Sequence, residues 1–303
     1  MQGIVLFRLK AEQVDPNPAS PTPGLEPFSK SYDAVVGSIR GVYHITDYLN
    51  AVAGISQGFR APGFDDTAAI RLVMSGQTDY PSPELRPEKS LTYEAGIKTC
   101  SEKIQGSFFY YYTEIDDLIR RVSAPQFGPE ATTKENFGNA SIQGIEIESS
   151  YKINHEWSVA GILNWVIDSE GDALVDPVTG TPSTSISGVK RSVPLDKIQP
   201  PTGILKLRWT HPSKKCWVEA VTTAVGEKKY KDYSPSDKTD TQRIPPGGSP
   251  GYVIVSLRSG IRLSQSASLN LAVNNLTDKD YRVFGSGQNE PGINPVVSLE
   301  VNF

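Results

Sequence analysis

The links between alternating segments constrain this chain more than any single motif. Eleven segments alternate apolar and polar residues, at about 33–43, 47–60, 88–99, 103–115, 136–152, 156–168, 198–209, 216–226, 251–263, 267–274 and 293–303. Period two is the mark of a β-strand with two unlike faces. Residues 3–10 are a candidate twelfth. Short links fall at 44–46, 99–103, 153–156, 210–215 and 263–267, and long polar links at 61–87, 116–135, 169–197, 227–250 and 275–292. Short and long take turns along the whole chain. Parallel sheets with crossover helices impose no such order. An antiparallel meander with all its long loops at one end does, and membrane-spanning β-barrels are built that way.

The two faces read consistently. Leu205, Leu207 and Trp209 alternate with Lys206 and Arg208. Val253, Val255, Leu257, Ile261 and Leu263 stand against Ser256, Arg258 and Arg262; Val297, Leu299, Val301 and Phe303 against Ser298, Glu300 and Asn302. Mean hydropathy is −0.33, and no apolar run reaches the roughly 20 residues of a membrane helix. A barrel strand hides from such averages, because each apolar residue has a polar neighbour. The 26 glycines and 23 prolines interrupt any sustained helical period. A net charge of −4, without a basic tail or stripe, excludes nucleic acid as the expected partner. Residues 1–10 are too short and poorly flanked for a signal peptide, so no export signal is read. Tyr43, Tyr48, Trp157, Trp209 and Trp217 flank short turns, where an interfacial aromatic girdle would sit. Alternation alone also fits a soluble sandwich whose polar face looks outward. Three architectures follow: part of a wide membrane barrel, a self-contained narrow barrel acting as pore or enzyme, or a soluble all-β binding domain.

Four stretches go beyond pattern: "SQGFRAPGFDD" at 56–66, "PSPELRPEKSLTYEAGIK" at 81–98, "NFGNASIQGIEIESSY" at 136–151, and "NNLTDKDYRVFGSGQNEPG" at 274–292 followed by a terminal aromatic. In this order and spacing they resemble the barrel of TonB-dependent outer-membrane receptors, over about residues 31–303. The resemblance implies an all-β, antiparallel transmembrane β-barrel of which this chain supplies about 11–12 meander strands, within a wall of about 22. Residues 31–303 would be the C-terminal portion of that barrel, and 1–30 a possible strand plus a polar loop. The family's signal peptide, TonB box and plug have no counterpart here. The implied role is a receptor for TonB-energised uptake of a large nutrient, such as a ferric siderophore, cobalamin or another chelate, in the outer membrane of a Gram-negative-type bacterium. The implied partners are the nutrient chelate ligand, the TonB complex (through the N-terminal part), the barrel-assembly machinery, and outer-membrane lipid and lipopolysaccharide. No enzyme activity, cofactor or metal is expected.

Candidate site residues lie in two long links. Arg60, Asp65, Asp66 and Arg71 follow the second strand. Lys228, Lys229, Tyr230, Lys231 and Tyr233 form a basic, aromatic cluster suited to an anionic ligand. Phe303 is the expected assembly signal. "GISQG" at 54–58 matches a nucleophile-elbow pattern, but Pro62 and Gly63 follow where a helix must start, so no active serine is read. His44, His155 and His211 fall on short turns without ligand spacing to one another. In haem-transporting relatives a histidine lies between the motif that Phe59–Pro62 match and the one that "PSPEL" approximates; none does here. The acidic run at 168–176 lacks a calcium-loop spacing. Cys100 and Cys216 are expected about four strands apart, roughly 19 Å, too far for a disulfide.

Overall fold

The structure, a computed structural model, describes residues 3–13, 28–72, 77–180 and 188–302. Twelve strands form one continuous wall. They are β1 (Gly3–Gln13), β2 (Phe28–His44), β3 (Leu49–Arg60), β4 (Glu88–Cys100), β5 (Ile104–Asp116), β6 (Ala140–Lys152), β7 (Trp157–Val175), β8 (Thr202–Thr210), β9 (Cys216–Val225), β10 (Tyr252–Arg262), β11 (Ala267–Asn274) and β12 (Asn294–Val301). Each pairs antiparallel with the next in chain order. The candidate strand at 3–10 is therefore real. Among the described residues β1 and β12 do not pair, so the sheet is open. A meander puts every second link on the same rim. The short links at 45–48, 101–103, 153–156, 211–215 and 263–266 lie on one rim, and the described parts of the long links, 61–72, 77–87, 117–139, 176–180, 188–201, 226–251 and 275–293, on the other.

Several boundaries differ from the sequence reading: β2 begins at Phe28 and β8 at Thr202, and two segments change more deeply. The segment 136–152 splits: Ala131–Asn136 pairs inside a loop sheet, and the wall strand starts at Ala140. Strand β7 runs on to Val175, where Val189–Pro194 pairs with its upper end and makes a hairpin above the wall. Ladder hydrogen bonds persist there because the partner strand belongs to the loop itself, which local patterning cannot reveal.

Register makes the faces continuous, because residues directly opposed across antiparallel strands share a side. One row runs Val159, Leu207, Ala220, Leu257, Val273. Another runs Ile97, Phe108, Ile147, Leu163. The opposite face carries Arg208, Glu219 and Arg258 in direct register. The apolar face is bare: Leu205, Val253 and Leu299 are 55%, 55% and 61% exposed. That much contiguous apolar surface suits lipid and not water.

Aromatic residues bound this face at both ends. Tyr151, Trp157 and Trp209 lie toward the short-link rim on the apolar side. Tyr93, Tyr110, Tyr112 and Trp165 lie toward the long-loop rim on the same side. The second girdle was not read from sequence, since these residues sit mid-segment rather than beside a turn. From Trp157 to Trp165 is eight residues, about 26 Å along the strand. At a tilt of about 40° the height is roughly 20 Å, near the apolar band of such walls. Trp217 is a correction. It is opposite Thr210, and the Arg208 guanidinium lies 4.1 Å from its ring centroid, so it belongs to the polar face.

A bulge in β7 switches its parity. Gly144 pairs with Val166 and Gln143 with Asp168, leaving Ile167 as the extra residue. Odd residues from Trp157 to Trp165 face outward below it; Asp168 and Glu170 do so above it. Gly144 serves a close approach: a Cβ there would lie 2.6 Å from the Tyr111 hydroxyl. Cys100 and Cys216 are both free thiols. They end β4 and begin β9, five strand steps apart rather than four, or about 24 Å.

Candidate functional site

The long-loop rim gathers both sequence-predicted clusters. Arg60 ends β3 opposite Glu88, the first residue of β4. That cross-strand position makes a bidentate pair, Nε to Oε2 at 2.7 Å and Nη2 to Oε1 at 2.8 Å. Arg60 Nη1 also reaches Asp66 Oδ2 at 3.3 Å. Asp66 sits in the one-turn helix Phe64–Thr67, where its carboxylate accepts from the Gly63 N–H at 2.8 Å and from Lys134 Nζ at 2.7 Å. Burial pushes the Asp66 carboxyl up, but the Lys134 and Gly63 hydrogen bonds and the nearby cations outweigh it, and its pKa lies below the ordinary value. Asp65 pairs with Arg71 at 3.0 Å, and Arg71 reaches on to Asp79 at 3.5 Å.

Asp79 is the anchor of this group. Only 2% of it is exposed. It accepts from Arg121 Nε at 2.7 Å, Arg121 Nη2 at 2.6 Å and Thr132 Oγ1 at 2.5 Å. Burial raises its pKa; the Arg121 and Thr132 hydrogen bonds and the charges of Arg121 and Lys134 more than reverse this, leaving it below the usual carboxylate value. Around it Arg71–Leu72, Thr78–Asp79, Ala131–Asn136 and Ile119–Ser123 form a four-stranded sheet, in which Thr78–Asp79 runs parallel to the strand from Ala131. The loops at 61–87 and 117–139 are thereby joined. Arg60, Asp65, Asp66 and Arg71 are brought together, each already engaged with another protein charge.

The second cluster divides by exposure. Lys228 is 8% exposed and donates to the Ile198 carbonyl at 2.6 Å. Its ammonium lies 4.6 Å from the Tyr233 ring centroid and 5.2 Å from that of Phe284. Burial lowers the Lys228 pKa, against the opposing pull of Asp237, Asp232 and Asp196. Tyr233 is fully buried and its hydroxyl is 2.6 Å from Ser249 Oγ. Asp237 accepts from the Lys197 N–H at 2.9 Å. Residues from three long loops thus converge on Lys228. Lys229, Tyr230 and Lys231 stay exposed at the tip. Glu88, Asp79, Arg121, Lys134 and Phe284 escaped sequence reasoning. The one available signal was the acid–base pair flanking the first loop, Arg60 and Glu88; the others come from segments far apart in the chain. Phe303 lies outside the described residues. Among the described residues no three His, Cys, Asp or Glu side chains are grouped to hold a metal ion.

Against known proteins, residues 8–276 match the family described as "TonB dependent receptor-like, beta-barrel". The chain belongs to this family. The TonB-dependent receptor chain is 25% identical over 239 residues to the vitamin B12 transporter BtuB of Vibrio vulnificus, with 78% of this chain and 32% of that protein covered. It is 25% identical to the hemoglobin and hemoglobin-haptoglobin-binding protein of Haemophilus ducreyi, covering 79% of this chain and 26% of that protein. Among solved structures, the copper transporter OprC superposes with a TM-score of 0.71 at 17% identity, covering all of this chain and 45% of that one. The chain thus spans about a third of the length of the curated relatives it matches. The family is one of receptors and transporters of the Gram-negative outer membrane. The exposed apolar face of this TonB-dependent receptor barrel is its lipid face, and the polar face lines the lumen.

Proposed function

We propose that this chain is the C-terminal part, from about residue 31 to 303, of the barrel of an outer-membrane receptor that takes up a large nutrient by TonB-energised transport. The observation that carries it is the two-faced twelve-strand meander whose described long loops all leave one rim. Open sheet edges in lipid leave backbone groups unpaired at several kcal/mol each, so the twelve strands work within a larger closed wall. A narrow self-contained barrel is disfavoured by those edges, and a soluble sandwich by the bare apolar face. The ligand is a chelate of the kind named for the relatives: cobalamin, a haem source or a ferric siderophore. It is captured at the long-loop rim. Lys229, Tyr230 and Lys231 form the exposed contact tip, with Lys228 and Tyr233 as its buried support. Arg60, Asp65, Asp66 and Arg71 shape the opposite loop wall. Transport changes no covalent bond, so the protein is not an enzyme. The TonB complex acts on the N-terminal part of the complete receptor, the barrel-assembly machinery reads Phe303, and lipid and lipopolysaccharide surround the wall.

The test is uptake by cells carrying or lacking the complete gene, offered radiolabelled cyanocobalamin, haemin and a ferric catecholate in turn. Energy-dependent accumulation of one of them, lost on gene deletion or on dissipating the proton gradient, is the expected result. Equal accumulation of all three with and without the gene sinks the proposed uptake.

A further inference from the structure

The long loops are tied to one another very unevenly. The segments 61–72, 77–87 and 117–139 form one group, built on the four-stranded sheet and the Arg121–Asp79 pair. Within it Ser82 Oγ lies 2.7 Å from Thr133 Oγ1, Lys134 Nζ lies 2.7 Å from Asp66 Oδ1, and Asn136 Nδ2 donates to the Arg86 carbonyl at 2.9 Å. The segments 188–201, 226–251 and 275–293 form a second group. Lys228 reaches all three: the Ile198 carbonyl, the Tyr233 ring in its own loop, and the Phe284 ring. The two rings stack with centroids 6.0 Å apart. The Lys197 N–H, 2.9 Å from Asp237, and the Gly226 N–H, 2.8 Å from the Pro201 carbonyl, fasten two of the same loops.

Both groups lean over the lumen side of the wall. Lys30, on the lumen face of β2, donates to the Pro83 carbonyl at 2.9 Å, and Tyr32 on the same face is 4% exposed. Glu88, on the lumen face of β4, accepts from the Ile119 N–H at 2.8 Å. Ser256, on the lumen face of β10, is buried and accepts from the Asn275 N–H at 3.4 Å. Between the groups the ties are long. Two contacts among the described residues cross from one to the other: Arg120 Nη1 to Asp196 Oδ2 at 3.8 Å, and Lys190 Nζ at 5.5 Å from the Phe137 ring centroid. Both groups also rest on Asp172 of β7, which meets the Asn139 N–H and Lys190 Nζ, each at 2.9 Å. The upper end of β7 is thus a post that the two groups share.

We propose that these loops open as two cooperative bodies that part beside the end of β7, with Lys228 as the staple that makes three loops one body. Proteins open locally in units whose contacts must break together. A buried cation that serves three segments cannot be released by one of them without loss to the other two. The long contacts at the seam impose no such linkage. Opening of one body uncovers the stretch of lumen wall beneath it while the other stays closed. This motion belongs to the ligand-free protein and goes beyond the uptake reading.

The test is native-state hydrogen exchange on the complete receptor in detergent, without ligand, over a series of low denaturant concentrations. No uptake is measured, so failure here leaves the uptake reading standing. In the wild type the slowest amides of 195–201, 228–234 and 276–284 should share one opening free energy, and those of 78–80 and 131–136 another. Lys228→Met, similar in length and without charge, should speed exchange by about tenfold or more in all three segments of the second body. It should leave 131–136 at the wild-type rate. Tyr233→Phe keeps the ring and loses only the hydroxyl contact with Ser249, so exchange in 276–284 should not change. Three different opening energies in the wild type overturn the proposal, and that comparison needs no variant to fold. So does a Lys228→Met protein that loosens 226–251 alone, or one that loosens both bodies alike.

Discussion

Asp79 shows how one residue joins two loops distant in sequence. Its carboxylate is almost wholly buried yet meets three donors. Removing Arg121 leaves that charge without its main partner. Loss of a partner from a fully buried pair costs roughly 3–5 kcal/mol. Here Arg121 is 39% exposed and Arg71 remains at 3.5 Å. Arg121→Met should therefore cost about 2 kcal/mol of local stability, read as faster amide hydrogen exchange across 131–136. Exchange unchanged there would refute the anchoring role. The pH dependence follows from the sign of the shift. The folded state favours ionised Asp79, so its stabilisation is complete above the ordinary carboxylate pKa of about 3.9. It is lost as pH falls through the lower folded value. Asp66 acts in the same sense. The loop sheet should hold at pH 5 and loosen in strong acid, whereas Asp79→Asn should flatten that profile.

At the scale of the element, the bulge in β7 decides which side chains meet lipid. Ile167 is an extra residue, and the pairs on either side of it already match in facing. Deleting Ile167 should leave the barrel assembling at near wild-type level. Deleting Leu163, the seventh residue of β7, would shift the residues after it by one and reverse their faces. Heat-modifiable gel mobility of the two deletions separates them: band shift retained for the first, lost for the second. Retained mobility in both would mean that the ladder above Leu163 is not set by facing.

For the whole molecule, the consequence is a wall with opposite solvents on its two sides. Leu207 lies mid-height on the lipid face, and Lys206 next to it on the lumen face. Leu207→Arg should cost roughly 2–4 kcal/mol in the membrane and lower the amount of assembled protein. In a background with Cys100 and Cys216 replaced by serine, a water-soluble maleimide should label Lys206→Cys and spare Leu207→Cys. The reverse pattern would invert the wall.

The sequence by itself determined the meander. Period-two patterning and alternating link lengths are local properties, so strand order, the two rims and the apolar face were legible in it, and the cysteines read as too far apart to bond although one strand step nearer than they are. The four motifs located the family. Tertiary structure decided what depends on neighbours remote in the chain. Trp217 reads as a girdle residue until register sets it beside Arg208. Lys228 and Tyr233 read as ligand-facing members of the basic, aromatic cluster until Ile198, Ser249 and Phe284 enclose them. Arg60, Asp65, Asp66 and Arg71 read as open contacts until Glu88, Asp79 and Lys134 engage them. In each case the deciding partner lies in another strand or loop. A side chain's neighbours along the chain specify its face, but only the fold specifies which charge or ring stands across from it.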